Sequence, residues 1–230
     1  MRGSLYQQAA YKAFSQGDVE RARQIVSENI TNSMERDRLL KDFDRHLLLR
    51  ASEQGRMGEV QQLLSRVRSD QERAAILTQL ATAAARQGEK ARALEFLDEA
   101  RVLVGGRTEN YPQVDAQLQI ARGYATLQAS QSAEMLVPLI EKLNELTAAA
   151  SVLDGFEIQG HFRGGELVLQ GGNVLTSMVR QCGEILGWLA PADFDLALLV
   201  ANRLHRPETR VMICVLIAQR VFAGTPAVRR

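Results

Sequence analysis

At 230 residues and 46% hydrophobic content, the chain is long enough to bury a sizeable core and falls in the range of one or two domains. Its 28 lysines and arginines face 27 aspartates and glutamates, and the net charge of +1 excludes the bulk field that draws in nucleic acid or an anionic membrane. No apolar run approaches the roughly 18 residues of a bilayer span, and two cysteines make neither a disulfide framework nor a zinc site.

The opening MRGSLYQQ lacks the hydrophobic segment of a signal peptide. Met-Arg-Gly-Ser reads like an expression leader, so the natural chain is expected to extend further toward its N-terminus. A cytoplasmic location is slightly favoured and the compartment otherwise stays open. Lysine stands only at Lys12, Lys41, Lys90 and Lys142, and the other cations are arginines, which favour planar, bidentate contacts to carboxylates. Codon bias accounts for this more readily than selected arginine chemistry. Cys182 and Cys214 each lie in an apolar helical run and are both expected to be buried free thiols.

A cassette then recurs along the chain: small and apolar residues at helical spacing, a short turn, and a second amphipathic helix. In the first copy Ala9, Ala10 and Ala13 precede Gly17, and Ala22 and Val26 follow it. The second has Leu47, Leu48 and Ala51 before Gly55, with Val60, Leu64 and Val67 after. The third has Leu77, Leu80, Ala81 and Ala84, then Gly88, then Ala93, Leu97 and Ala100. Glycine costs about 1 kcal/mol relative to alanine inside a helix, so the Gly88 of RQGEKARALEFLDEA is expected to end one helix rather than interrupt it. A glycine-rich polar loop, GGRTENYP, separates this copy from a fourth over Val114 to Leu146, with Ile120, Ala121 and Tyr124 and then Ala133 and Val137. A fifth begins near Asn173, with Cys182, Gly183 and Leu186, the turn APAD, and then Ala197, Ala201 and Leu204. Asp193 is placed to cap its second helix, and Pro207 to open a last helix through Phe222.

The cassette resembles the tetratricopeptide repeat, a helical hairpin of about 34 residues with the pattern W-x2-L-G-x2-Y, A-x3-F and a closing proline. In the third copy Leu77, Leu80, Ala81 and Ala84 stand at the first four of those positions, and Ala93 and Leu97 at A-x3-F. The proline is missing, Gly105 and Gly106 stand in its place, and only Tyr124 of the fourth copy keeps the family's tyrosine. The resemblance implies one all-α domain over 1–230, a right-handed superhelical α-solenoid of about five hairpins plus a C-terminal helix. Solenoids of other helical-hairpin families stay open.

Ser151 to Gly172 breaks the pattern. Phe156, Ile158 and Phe162 alternate with polar residues, RGGE offers a turn, and Leu167, Val168 and Leu169 follow, so an inserted β-hairpin or loop is expected. Two strands alone are marginal in water, so it should either dock on the helices or move. His161, Glu157 and Glu166 suggest an acid–base group, but no nucleophile, HExxH, P-loop or Gly-x-Ser-x-Gly accompanies them. A non-catalytic chain without cofactor or metal is therefore expected, with His46 and His205 facing solvent or packing.

In the resembled family the first helices of successive hairpins line a concave groove. Carrying the third copy's register across implies the groove residues Tyr11, Phe14, Arg45, Thr82, Arg86, Arg122, Arg180, Glu184 and Trp188. Such a set suits a protein or peptide partner with acidic residues or a free carboxylate; the lysine and asparagine clamp of some tetratricopeptide domains is absent. The competing expectation is that these arginines simply solvate helix faces or pair locally with glutamates such as Glu53 and Glu184. Trp188 reads as a core plug somewhat ahead of a rim residue. The apolar VMICVLIAQRVF is expected either to form a homodimer through Val211, Ile213, Val215, Leu216 and Phe222, the alternative to a groove partner, or merely to cover the fifth hairpin, and a nucleic-acid-binding module is the remaining alternative.

Overall fold

The structure is a computed structural model that describes residues 2–67, 69–106, 108–154, 156, 161–169 and 173–224. The expected all-α fold is what it shows. The chain divides into two compact units, Met1–Arg68 and Ser69–Arg230.

The first unit holds α1 (Arg2–Ser15), α2 (Val19–Asn29), α3 (Ser33–Glu53) and α4 (Met57–Leu64). Ala10, Ala13, Ala22, Val26 and Ile30 form the inner face of the first hairpin, and Leu39 and Phe43 of α3 cover it. The same helix then presents Leu48 and Ala51 beside Val60 and Leu64 of α4. One 21-residue helix thus serves two packing surfaces, which accounts for the uneven spacing of the turn glycines. Val67, expected on the second helix of that hairpin, lies beyond the end of α4.

The second unit holds α5 (Asp70–Arg86), α6 (Lys90–Val104), α7 (Tyr111–Ala125), α8 (Ala129–Leu153), β1 (Phe162–Arg163), β2 (Glu166–Leu167), α9 (Val174–Leu189), α10 (Phe194–Ala201) and α11 (Pro207–Gly224). The first helices of its hairpins lie side by side, α5 on α7 and α7 on α9. Their partners α6, α8 and α10 pack against them, and α11 lies on α9. Leu118, Leu136, Leu139, Ile140, Leu143, Val179, Leu186, Leu189 and Ile213 are almost wholly buried in the core this makes. Asn144 is buried within it, but its amide donates to the Arg203 carbonyl at 2.9 Å and its Oδ1 accepts from the His205 N–H at 3.0 Å, so the turn before α11 is tied to α8 without an orphan polar atom.

Three turns close in one way. Gly17, Gly55 and Gly88 have φ of 88°, 70° and 82°. Each donates its N–H to the carbonyl three residues back, and the following residue donates to the carbonyl five back: Asp18 to Ala13, Arg56 to Ala51 and Glu89 to Ala84, at 2.8–3.0 Å. This is the Schellman termination, which needs a left-handed residue and so selects glycine. At the start of α10, Asp193 accepts from the Leu196 N–H as expected, and Pro207 opens α11.

The inserted segment is shorter than the sequence suggests. Despite Pro138, α8 runs through Ser151 to Leu153, and the paired strands are two residues each, Phe162 opposite Leu167 and Arg163 opposite Glu166. Glu157, Ile158 and Gly160 lie outside the described residues. The RGGE turn has positive φ at both Gly164 (61°) and Gly165 (84°), as a tight two-residue hairpin requires. Of the two expected fates, the hairpin docks. Phe162 and Leu167 are buried in the core, the Leu167 N–H donates to Glu208 Oε1 at 3.0 Å, and Arg206 donates to the Gly165 carbonyl at 3.0 Å. The Arg206 guanidinium also lies 4.3 Å from the Phe162 ring centroid and 3.3 Å from the Glu208 carboxylate.

Candidate functional site

The first helices of the second unit carry small residues where they face one another. Thr78, Ala81, Thr82, Ala85 and Arg86 form one stripe of α5, and Gln119, Arg122 and Gly123 one stripe of α7, with Thr126 just past its end. Between them is a hollow of about 550 Å³, floored by Leu97 and edged by Leu127 and Trp188. Such a volume is in the range of ligand sites. Gly123 helps to shape the floor, because a β-carbon there would lie 2.5 Å from Leu97 Cδ2. Thr78 and Thr82 donate their hydroxyls back to Ala74 and Thr78 of their own helix, which leaves only acceptor capacity for a ligand.

Among the described lining residues, Arg86 and Arg122 are the ionised side chains and no acid stands with them. Both stand in the last turn of their helices, where a cation offsets the partial negative charge of the unpaired carbonyls. Among the described residues neither guanidinium has an ion-pair or hydrogen-bond partner, and Arg180, exposed on α9, has none either. The expected pairing with Glu53 or Glu184 is thus not what occupies these three arginines. Trp188 is 36% exposed at the end of α9, so it is a rim residue and not the expected core plug. Its register explains the difference: Leu186 and Leu189 take the buried positions on either side.

Arg86, Arg122 and Trp188 therefore come together, with Thr82 beside them, and Arg180 and Glu184 of the same unit are not among the described lining residues. Tyr11 and Phe14 lie in the first unit, where both pack on the buried Phe43, Tyr11 edge-on at 5.4 Å and Phe14 stacked at 4.5 Å. These two aromatics thus take part in the packing between α1 and α3, and Tyr11 stays 41% exposed while it does so. Burial and the neighbouring Asp42 carboxylate raise the Tyr11 phenol above its ordinary value. Phe14 also edges a smaller hollow of about 370 Å³ with His46, Arg50 and Glu53, where both signs of charge are present. Arg45 is exposed on α3. The signal that could have found this cluster is Phe43, at helical spacing from Leu39 and opposite the aromatics of α1.

The other chemistry-bearing residues stay apart. His46 sits against the Asp42 carbonyl at 2.7 Å and His205 is exposed. Glu166 is exposed on β2 and His161 is half-buried before β1. Among the described residues no group of three His, Cys, Asp or Glu side chains could hold a metal ion, and no helix is long and apolar enough to cross a membrane. Cys182 is buried as expected, and burial pushes its thiol up to about 12. Cys214 is exposed instead, because Thr209, Ile213 and Ile217 form the buried face of α11 and the next residue after Ile213 is turned about 100° away from it. A hollow of about 670 Å³ beside Asp70, Gly105, Gly106 and Asn110 has neither an aromatic nor a cation among its described lining residues. In comparisons with known proteins, no family model, no curated protein and no solved structure matches this chain.

Proposed function

We propose that the chain is a non-catalytic interaction scaffold, tetratricopeptide-like in its stacking, whose second unit takes an acidic segment of a peptide or protein partner in the hollow over α5, α7 and α9. The observation that carries this reading is a lining whose described residues include two unpaired arginines and one tryptophan and no acid. A carboxylate is the group that such a lining complements: the guanidinium fork matches its geometry and the pair forms strong, charge-assisted bonds. Trp188 adds the large, amphipathic surface that binding hot spots favour.

The test is a displayed random-peptide library selected on the whole chain, beside an Arg86→Glu, Arg122→Glu variant with an unchanged helical circular-dichroism spectrum. The wild-type pool should be rich in aspartate and glutamate and the variant pool should lose that bias. Trp188, the sole tryptophan of the chain, should change its emission when a selected peptide binds. A wild-type pool without acidic bias sinks the reading.

A second reading rests on a separate observation. Val211, Val215 and Phe222 of α11 are 63%, 48% and 76% exposed along one face, which favours self-association through this helix. Ile213, named beside them as a dimer contact, is buried against α9 instead. Light scattering over a concentration series, with Val215→Glu as control, decides it: a mass that stays monomeric at every concentration ends this alternative.

A further inference from the structure

The proposed groove leaves one arginine unexplained. Arg220 lies on α11, outside the lining of the hollow, yet its guanidinium carbon sits 3.3 Å from the centroid of the Trp188 ring. Gly187 lies directly under this contact: a β-carbon there would be in van der Waals contact with Arg220 Cβ and the Leu216 carbonyl oxygen, at 3.4 Å each. Arg220 is exposed and has no acidic partner among the described residues, and Glu184, one turn before Trp188 on α9, makes no ion pair with it.

A guanidinium laid on an aromatic face keeps its N–H donors in its own plane, directed outward and available to a carboxylate. Stacking has also already restricted the side chain, so less freedom is lost when it pairs. Resting on the peptide-binding reading above, we infer that the stacked Arg220 and Trp188 form a second carboxylate-recognition point beside the hollow, so that the partner carries two separated acidic residues. One acid pairs with Arg86 and Arg122. The other pairs with Arg220, while the segment between them lies across Leu127 and the indole.

The experiment takes a peptide from the wild-type pool, labels it, and measures its anisotropy on the intact wild-type chain and on Arg220→Gln and Arg220→Lys, each verified by circular dichroism. Each acidic residue of the peptide is changed in turn to the matching amide. On wild type, loss of the second acid should weaken binding about tenfold, the scale of one charge-assisted hydrogen-bonded pair. On Arg220→Gln the same change should have less than about a twofold effect, and Arg220→Lys should recover part of the difference. If every acid-to-amide change costs the same factor on wild type and on Arg220→Gln, the inference is overturned. A wild-type pool with a single acidic position also overturns it and leaves the peptide-binding reading intact, whereas a pool with none overturns both.

Discussion

Adding a β-carbon at Gly88 would meet nothing within 4 Å, so its replacement is opposed by the backbone alone. With φ at 82° the residue is in the left-handed region, where an L side chain costs about 1–2 kcal/mol. Gly88→Ala is therefore expected to lower stability by about 1 kcal/mol, read as a lowered midpoint in a urea titration with helix content at zero denaturant unchanged. The cysteines separate just as cleanly. Cys214 is exposed and Cys182 is buried with its thiol held protonated, so a thiol reagent should modify one cysteine of the native chain quickly, and mass spectrometry should place that label at Cys214. The second should react only when the chain is unfolded. Fast labelling of both would show that α9 opens readily.

Among the elements, the β1–β2 hairpin depends most on contacts outside itself. Its strands are too short to stand alone, and it is held by two buried side chains, by Glu208 and by Arg206. Burial of the Glu208 carboxyl works to raise its pKa, but the N–H groups of Leu167 and of Glu208 itself, together with Arg206, outweigh this and hold it below the usual carboxylate value. A carboxyl with a depressed folded pKa contributes stability that is complete above its unfolded value of about 4.3 and is lost as pH falls through the folded one. Protection of the Leu167 amide in hydrogen exchange, corrected for intrinsic rate, should therefore be full near neutral pH and fall on acidification below the ordinary carboxylate range. Glu208→Ala should abolish that dependence and cost about 1–3 kcal/mol, the penalty for leaving a buried N–H unpaired. Equal protection in wild type and variant across that range would show that Phe162 and Leu167 hold the hairpin by themselves.

For the whole molecule, a nearly neutral net charge coexists with a local pair of cations. The charge of the described lining over α5 and α7 comes from Arg86 and Arg122, whereas the chain at large is nearly balanced. Peptide binding should accordingly weaken as salt rises toward about 1 M, where the screening length falls to about 3 Å, while the helical spectrum stays constant. Binding insensitive to salt would mean that apolar contact with Trp188, Leu97 and Leu127 dominates.

Helical periodicity, the turn glycines and the capping residues were legible in the sequence because each acts on its own neighbours. A left-handed turn selects glycine locally, Asp193 caps the helix that begins beside it, and Pro207 suits any first turn. The shared Gln-Gly at Gln16, Gln54 and Gln87 with the next residue's bond to an alanine carbonyl five positions back is a further local signature, plain once the three turns are compared. What surrounds a side chain is a different kind of fact. Arg86, Arg122 and Trp188 are far apart in sequence and meet only because α5, α7 and α9 pack side by side. Whether Tyr11 and Phe14 faced a groove or Phe43, whether Trp188 filled a core or stood at a rim with Arg220 on it, and which cysteine reached solvent all depended on the angle at which one helix lies against another. A shift of one residue rotates a helical side chain by about 100°, so composition and spacing determine that these helices exist, and only tertiary packing decides which of their faces remain open to a partner.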